Sequence, residues 1–174
     1  MKKILLFCGS LRRASSARAV SRALESRLEG ICEIDHADVE NLPHYNADIT
    51  DNRDVELLKE KIAAADGVVF VTPEYNYSVP GLLKNAIDWA SRPAYGSVFK
   101  GKSCFVITVS GGAMGGVRAQ SHLKYILNGM LAVVFPWQEV VITQANAKVK
   151  DGEFADEATI DFAMDALTAF LQHI

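Results

Sequence analysis

Cysteine, excess positive charge and long apolar runs are all scarce in this sequence. Cys8, Cys32 and Cys104 are far apart and form no Cys-x-x-Cys pair, so we expect reduced thiols in the core rather than a zinc site or a redox dithiol. The formal net charge of −3 provides no basic surface for nucleic acid or for an anionic membrane. No apolar run approaches the ~20 residues of a transmembrane helix.

The rest of the composition is typical of one globular domain. With 174 residues, 49% of them hydrophobic and 22% charged, residues 1–174 can bury a full core as a single unit. Met1–Cys8 has the positive charge of a signal peptide, but its apolar part is too short and leads directly into Gly9 and Ser10. We therefore expect the first strand of a cytoplasmic protein here.

Apolar runs alternate with helical periodicities along the chain. Strands are predicted at Ile4–Cys8, Ile31–Val39, Gly67–Val71, Ser103–Val109 and within Leu131–Thr143, which is interrupted around Pro136. Amphipathic patterns predict helices over about Ser15–Leu28, Val55–Ala65, Gly81–Ala90, Gly116–Leu127 and Ile160–Leu171. This alternation predicts α/β architecture, a flavodoxin-like three-layer sandwich with a five-stranded parallel sheet in the order 2-1-3-4-5.

The predicted strand order brings two polar loops to the same edge of the sheet. In a 2-1-3-4-5 sheet the direction of winding switches between strands one and three, and ligands bind there. The loops after these strands are Gly9–Ser16 and Pro73–Ser78, so we expect them to converge on one crevice. Ser78 is also a candidate cap for the third helix, with Pro80 in its first turn.

The loop after the first strand is suited to an anion. It combines hydroxyl groups with guanidinium groups at the start of a helix, where free N–H groups and the helix dipole attract negative charge. The side chains concerned are Ser10, Arg12, Arg13, Ser15 and Ser16. Neither a Gly-x-Gly-x-x-Gly nor a Gly-x-x-x-x-Gly-Lys motif follows the strand, which favours the single phosphate of a mononucleotide. An ordinary serine cap with solvated arginines is the alternative.

Glycines and aromatic residues follow the third and fourth predicted strands. Tyr75, Asn76 and Tyr77 are consecutive, and three such polar and aromatic residues in a row are not expected to pack in the apolar core. The glycines let the backbone approach a flat ligand closely, although tight turns are an alternative reason for them. They are Gly111, Gly112, Gly115 and Gly116. Together the two segments could hold the edge and face of an aromatic ring system.

Three stretches carry a specific resemblance to a known family. Gly9–Arg12 with Ser15, then Pro73–Trp89, then Gly115–Gln120 resemble the NAD(P)H-dependent FMN reductase family, and most of all its bacterial quinone and chromate reductase branch. The stretches occur in the family's order and span most of the chain. Residues 144–174 carry no diagnostic motif.

The resemblance implies non-covalently bound FMN, with NAD(P)H as co-substrate. It implies no catalytic protein residue, since flavin N5 accepts the hydride, and no metal. The FMN phosphate is expected on Ser10, Arg12, Ser15 and Ser16. The isoalloxazine is expected against Pro73, Glu74, Tyr75 and Asn76, with Ser110 and Gly111 nearby.

The resemblance also implies a homodimer or homotetramer with the flavin close to a subunit interface. Arg118 and Glu139 match positions of tetramer contacts near the substrate opening, and Tyr77 is a further candidate for substrate or interface contact. Ser121 occupies a position where such relatives carry an aromatic residue, so the second-substrate pocket departs from the family pattern here.

Several other polar residues have ordinary structural interpretations. Lys84, Asn85 and Asp88 are expected to cap, pair or dock a partner subunit, and Trp89 to pack. The Glu74 side chain has two equal alternatives, a surface cation or the flavin, so its backbone is the better candidate contact. The four histidines are scattered without ligand spacing, and none is assigned to catalysis: His36, His44, His122 and His173.

The favoured function is an enzyme that passes two electrons from NAD(P)H to quinones or similar acceptors, including chromate, azo compounds and free flavin. With no separate nicotinamide domain in the chain, ping-pong kinetics are expected. The alternative is a flavodoxin-type one-electron carrier. A net charge of −3 gives such a carrier little acidic docking surface, and its phosphate loop would not be expected to use arginine. A flavin-free signalling domain would need an acidic pocket at the strand ends.

Overall fold

The computed structural model describes all 174 residues, and helices cover both faces of its parallel sheet. The strands of this sheet are β1 (Lys3–Cys8), β2 (Glu33–His36), β3 (Gly67–Pro73), β4 (Ser103–Val109), β5 (Val133–Val134) and β6 (Val140–Ile142). The helices are α1 (Ser16–Leu28), α2 (Arg53–Ala64), α3 (Gly81–Ala90), α4 (Val117–Gly129) and α5 (Glu157–His173). A 3-10 helix (Ala145–Lys148) and a small antiparallel pair, β7 (Val149–Lys150) and β8 (Glu153–Phe154), precede α5.

The strand order is β2-β1-β3-β4-β5, with β6 also paired to β4, which confirms the predicted flavodoxin-like topology. All pairs in this sheet are parallel. β5 pairs with the first residues of β4 and β6 with its last three, so together they form one interrupted edge strand. The segment between them contains Pro136, which has no N–H to donate to a ladder.

The opposite edge strand, β2, is shorter than the predicted Ile31–Val39. Only Glu33–His36 pairs with β1, and the last ladder bond runs from the Ala37 N–H to the Leu6 carbonyl. Ile31 is 57% exposed and lies outside the sheet. The polar residues that interrupt the apolar pattern of this strand are accommodated because β2 lies at the edge of the sheet.

Two apolar cores lie on the two faces of the sheet. Ile4 and Leu6 of β1 face α1 and α5, whereas Leu5 and Phe7 face α2 and α3. Because successive strand residues point to opposite faces, a continuous apolar run fills both cores. Cys32 and Cys104 are buried and Cys8 is half-buried, and all three are free thiols; burial raises the pKa of Cys104 to about 12.

Several helices differ from their predicted bounds by up to three residues, and the start of α3 also has a different cap. α3 begins at Gly81 with Pro80 at the N-cap, and the prediction that Ser78 caps it is wrong, because Ser78 Oγ hydrogen-bonds His122 Nδ1 at 2.9 Å. Asn52 caps α2 and Asp156 caps α5 through their side-chain oxygens. None of the helices combines the length and apolar character needed to cross a membrane.

Candidate functional site

The loops that follow β1, β3 and β4 meet at the carboxyl edge of the sheet around a cavity of about 170 Å³. Of the ten residues predicted to bind a cofactor, Ser10 and Asn76 do not line this cavity and the other eight do. The cavity is lined by Arg12, Ser15, Ser16, Ala17, Pro73, Glu74, Tyr75, Val109, Ser110, Gly111 and Asn146. The expected convergence of the two polar loops is therefore present.

The start of α1 forms one end of the cavity. Ser15 is the N-cap residue but its side chain makes no capping hydrogen bond, and no acidic residue stands in the first turn. The first-turn N–H groups are thus free of side-chain acceptors, and the positive end of the helix dipole is not neutralised. With the Arg12 guanidinium at the same wall, this end of the cavity suits a phosphate.

Ser10 lies on the far side of this loop. Its side chain is 3% exposed, and Oγ accepts a long hydrogen bond of 3.4 Å from the Arg12 N–H. It lines a neighbouring cavity of about 300 Å³ between β1, β2 and α1. Charged groups around that cavity are largely paired within the chain, for example Glu25 with His36 at 3.0 Å.

A tight turn after β3 forms the second wall. Tyr75 and Ser78 exchange backbone hydrogen bonds of 3.0 and 3.1 Å, and the two residues between them are left-handed, with φ of 48° at Asn76 and 67° at Tyr77. Asparagine tolerates this conformation, whereas tyrosine adopts it only under strain, as in a type I′ turn. The Tyr77 ring lies under the Arg118 guanidinium, whose carbon is 4.3 Å from the ring centroid.

Glu74, which follows β3, caps the start of α4. Its Oε2 accepts hydrogen bonds from the N–H groups of Arg118 at 3.0 Å and Ala119 at 3.1 Å. Its Oε1 lies 3.5 Å from the Arg118 guanidinium, and the side chain is 13% exposed. Gly116, the N-cap residue of α4, has no side chain to cap with, so Glu74 supplies the missing acceptor. Of the two alternatives for the Glu74 side chain, the structure shows the pairing with a cation, Arg118, and adds a capping role that neither alternative included.

The glycine cluster after β4 serves mainly the local backbone. Gly115 and Gly116 are left-handed, with φ of 58° and 88°, and a Cβ on Gly115 would collide with the Val141 side chain. Gly111 is not left-handed, but a Cβ there would collide with the Asn146 carboxamide. The tight-turn alternative thus accounts for Gly115 and Gly116, and a close side-chain approach for Gly111.

Asn146 is the lining residue that the sequence prediction missed. It lies in the 3-10 helix after β6, within the stretch that carries no motif. Ser16 Oγ donates a 2.6 Å hydrogen bond to Asn146 Oδ1 and so joins this segment to the start of α1. Ligands of parallel sheets bind beyond the carboxyl ends of the strands. This rule could have pointed to Asn146, because Asn146 follows β6 as Ser110 follows β4.

The remaining candidates make contacts within the chain. Lys84 and Asp88 pair with each other at 2.7 Å. Asn85 and Trp89 both donate to the Pro43 carbonyl, at 2.9 and 2.8 Å, and Trp89 is 5% exposed, which confirms its packing role. Glu139 pairs with Lys124 of α4 at 2.7 Å.

Comparison with known proteins adds independent findings. The family model described as NADPH-dependent FMN reductase matches residues 2–147. A quinone reductase of Escherichia coli (strain K12) is 39% identical over 179 aligned positions, which cover 99% of this chain and 95% of that protein. A 2-hydroxy-1,4-benzoquinone reductase of Burkholderia sp is 40% identical, covering 90% of this chain and 87% of its own.

Among solved structures, FerB, a flavoenzyme NAD(P)H:(acceptor) oxidoreductase from Paracoccus denitrificans, superposes with a TM-score of 0.89. It is 38% identical, and the superposition covers 99% of this chain and 96% of FerB. The sequence similarity and the backbone similarity therefore extend over the same, nearly complete length.

Proposed function

The chain belongs to the NADPH-dependent FMN reductase family and is an FMN-dependent NAD(P)H oxidoreductase, and we propose that quinones are its electron acceptors. The observation that carries the proposal is the single cavity onto which the loops after β1, β3 and β4 converge. Similarity to proteins named as quinone reductases supports the choice of acceptor.

The donor set at the start of α1 fits the phosphate of FMN. Arg12 supplies a guanidinium, Ser15 and Ser16 supply hydroxyls, and the uncapped first turn of α1 supplies N–H groups. Ser10 contributes through the shape of the loop, since its Oγ accepts from the Arg12 N–H. Together these groups would fix one end of the cofactor.

The opposite walls fit a flat ring. We infer that the main chain of Pro73–Asn76 and of Ser110–Gly111 lines the isoalloxazine, because the Glu74 side chain is held by α4. When bound, the flavin supplies the chemistry itself, accepting a hydride from NAD(P)H and passing two electrons onward. The protein's part is to bind and orient, with Tyr75 and Tyr77, 49% and 67% exposed, at the opening.

No general acid or base is assigned to the protein. Glu74 is the one carboxylate among the lining residues, and it caps α4. We propose that the nicotinamide and the quinone enter the same opening in turn, since the loops after β1, β3 and β4 converge on one cavity. Ping-pong kinetics follow from such sharing.

A steady-state panel tests this function. The FMN-loaded protein is mixed with NADH or NADPH and with a benzoquinone, a naphthoquinone, chromate, an azo dye or free flavin. We expect rapid nicotinamide oxidation with the quinones and parallel double-reciprocal lines when both substrates vary. Protein that binds FMN but oxidises neither nicotinamide with any acceptor would support the flavodoxin-type carrier instead.

We also propose that the protein is a homodimer or homotetramer that works in the cytoplasm. Arg118, His122 and Tyr125 share one face of α4, and Tyr125 is 81% exposed. Tyr77 adjoins that face through Arg118, so a second subunit there would border the opening. Use of NAD(P)H and three free thiols support a reducing compartment.

A further inference from the structure

Asn146 stands where the loop before α1 meets the loop after β4. The Ser16 hydroxyl donates to Asn146 Oδ1 at 2.6 Å, although the two residues are 130 positions apart. On the other side, Gly111 approaches so closely that a Cβ would collide with Asn146 Nδ2. The carboxamide therefore lies between a residue that fits the phosphate and a residue that fits the ring.

The main chain around Asn146 is anchored to the same loop. The Gln144 N–H donates to the Gly112 carbonyl at 3.0 Å, and the Ala145 N–H donates to the Ser110 carbonyl at 2.9 Å. These bonds on the preceding residues hold the 3-10 helix against the end of β4. The position of the Asn146 side chain is thus set by the fold rather than by a flexible terminus.

The direction of the hydrogen bond matters for phosphate binding. A serine hydroxyl has one proton, and a phosphate oxygen can only accept. While Ser16 donates to Asn146, it has no proton for a phosphate. A half-turn of the carboxamide exchanges Oδ1 and Nδ2 with almost no change of shape. Nδ2 then donates to Ser16 Oγ, and the hydroxyl proton is free to point into the cavity.

We propose that Asn146 is a positioning residue that sets Ser16 as a hydrogen-bond donor to the phosphate of FMN. This inference rests on the proposed placement of the phosphate at the start of α1. Without Asn146, the Ser16 hydroxyl has no fixed partner and can turn to other acceptors of the loop. Asn146 then acts on the phosphate through Ser16.

Binding of FMN and of riboflavin, which lacks the phosphate, tests the proposal. Apo protein is titrated with each flavin while the quenching of flavin fluorescence is followed. The variants are Asn146→Ala, Ser16→Ala and their combination, with Asn128→Ala, an exposed asparagine in α4, as matched control. Thermal unfolding of each apo variant confirms that it is folded.

Asn146→Ala should raise the Kd for FMN about five- to tenfold, the effect of one lost hydrogen bond, and change the Kd for riboflavin less than about twofold. The double variant should bind FMN no more weakly than Ser16→Ala alone, because both changes remove the same donor. Asn128→Ala should bind both flavins like the wild type.

Three results would overturn the proposal while leaving the proposed function intact. These are an unchanged FMN affinity in Asn146→Ala, an equal loss for FMN and riboflavin, or additive losses in the double variant. If riboflavin binds too weakly to measure, the additivity result decides. Failure of the wild type to bind FMN would instead remove the proposed function and this inference with it.

Discussion

At the scale of single residues, two adjacent arginines have different environments. Arg12 lines the cavity beside Ser15 and Ser16, whereas Arg13 does not line it. The sequence offers both as phosphate ligands, since both stand in the loop after the first strand. The structure separates them because the loop turns between β1 and α1, and only one side of that turn faces the cavity.

Arg12→Ala should weaken FMN binding about tenfold or more, because a charge-assisted contact to phosphate is lost. Arg13→Ala is the matched control, with the same charge change and a small effect. Fluorescence titration with FMN at two salt concentrations measures both. Equal losses in the two variants would mean that only the overall positive charge of the loop matters.

The sequence predicts the cavity-lining residues that directly follow strands, whereas it does not predict contacts between residues that are distant in sequence. Ser16, Tyr75 and Ser110 follow recognisable strands, so strand order alone brings them together. Asn146 follows β6, the short second part of the interrupted edge strand, whose pattern is too weak to mark what comes after it. Its contact with Ser16 depends on the packing of the whole sheet edge.

At the scale of elements, the start of α4 depends on a side chain from β3's loop. Gly116 gives α4 a left-handed entry but no capping oxygen, and Glu74 accepts from the second and third N–H groups instead. Sequence reasoning looks for a cap within a few residues of a helix start. A cap from 42 positions upstream of Gly116 is invisible to it, and the role of Glu74 was therefore missed.

Glu74→Ala should destabilise the protein by about 1–2 kcal/mol, because two N–H groups of α4 lose their acceptor. Urea unfolding of the apo protein measures this. Glu56→Ala, which removes an exposed pair with Lys59 at 3.0 Å, is the control and should cost under about 0.5 kcal/mol. Equal midpoints for the two variants would show that the α4 cap contributes no more than the exposed Glu56–Lys59 pair.

The start of α5 should be sensitive to acid. Asp156 accepts from Lys148 Nζ at 2.8 Å and from the Thr159 N–H at 3.1 Å, and these hydrogen bonds lower the pKa of Asp156 to about 2, Lys148 contributing most. A lowered pKa means that its contribution is complete above the ordinary value of 3.8 and is lost as the pH falls through about 2.

Asp156→Asn tests this through thermal unfolding between pH 6 and pH 2. The stability gap from wild type should be constant above about pH 4, shrink below it, and stay under about 1 kcal/mol since the pair is partly exposed. Lys148→Met should move the acid-dependent loss of stability to higher pH. A gap that does not change with pH would contradict the assignment.

At the scale of the whole molecule, the topology could be predicted because every strand that fixes it is either a buried apolar run or a recognisable edge. The order 2-1-3-4-5 then determines which loops meet, and with them most of the cavity. The oligomeric state is different in kind. It depends on exposed side chains whose partners lie on another copy of the chain. The hydrophobic periodicity of a sequence does not identify such partners.

The α4 face with Arg118, His122 and Tyr125 is where we expect that second copy. A tyrosine that is 81% exposed contributes large contact area when covered, and tyrosine and arginine are enriched in interface cores.

Tyr125→Glu should therefore shift the protein towards monomer in light scattering coupled to gel filtration. Ile31→Glu, at an apolar residue that is 57% exposed next to β2, is the control and should leave the assembly unchanged. Because Tyr77 packs against Arg118 of this face, and Tyr75, two positions earlier, lines the cavity, the monomeric variant should also show a higher KM for the quinone with FMN still bound. A monomer with unaltered kinetics would separate assembly from the active site, and an intact oligomer would place the interface on another face.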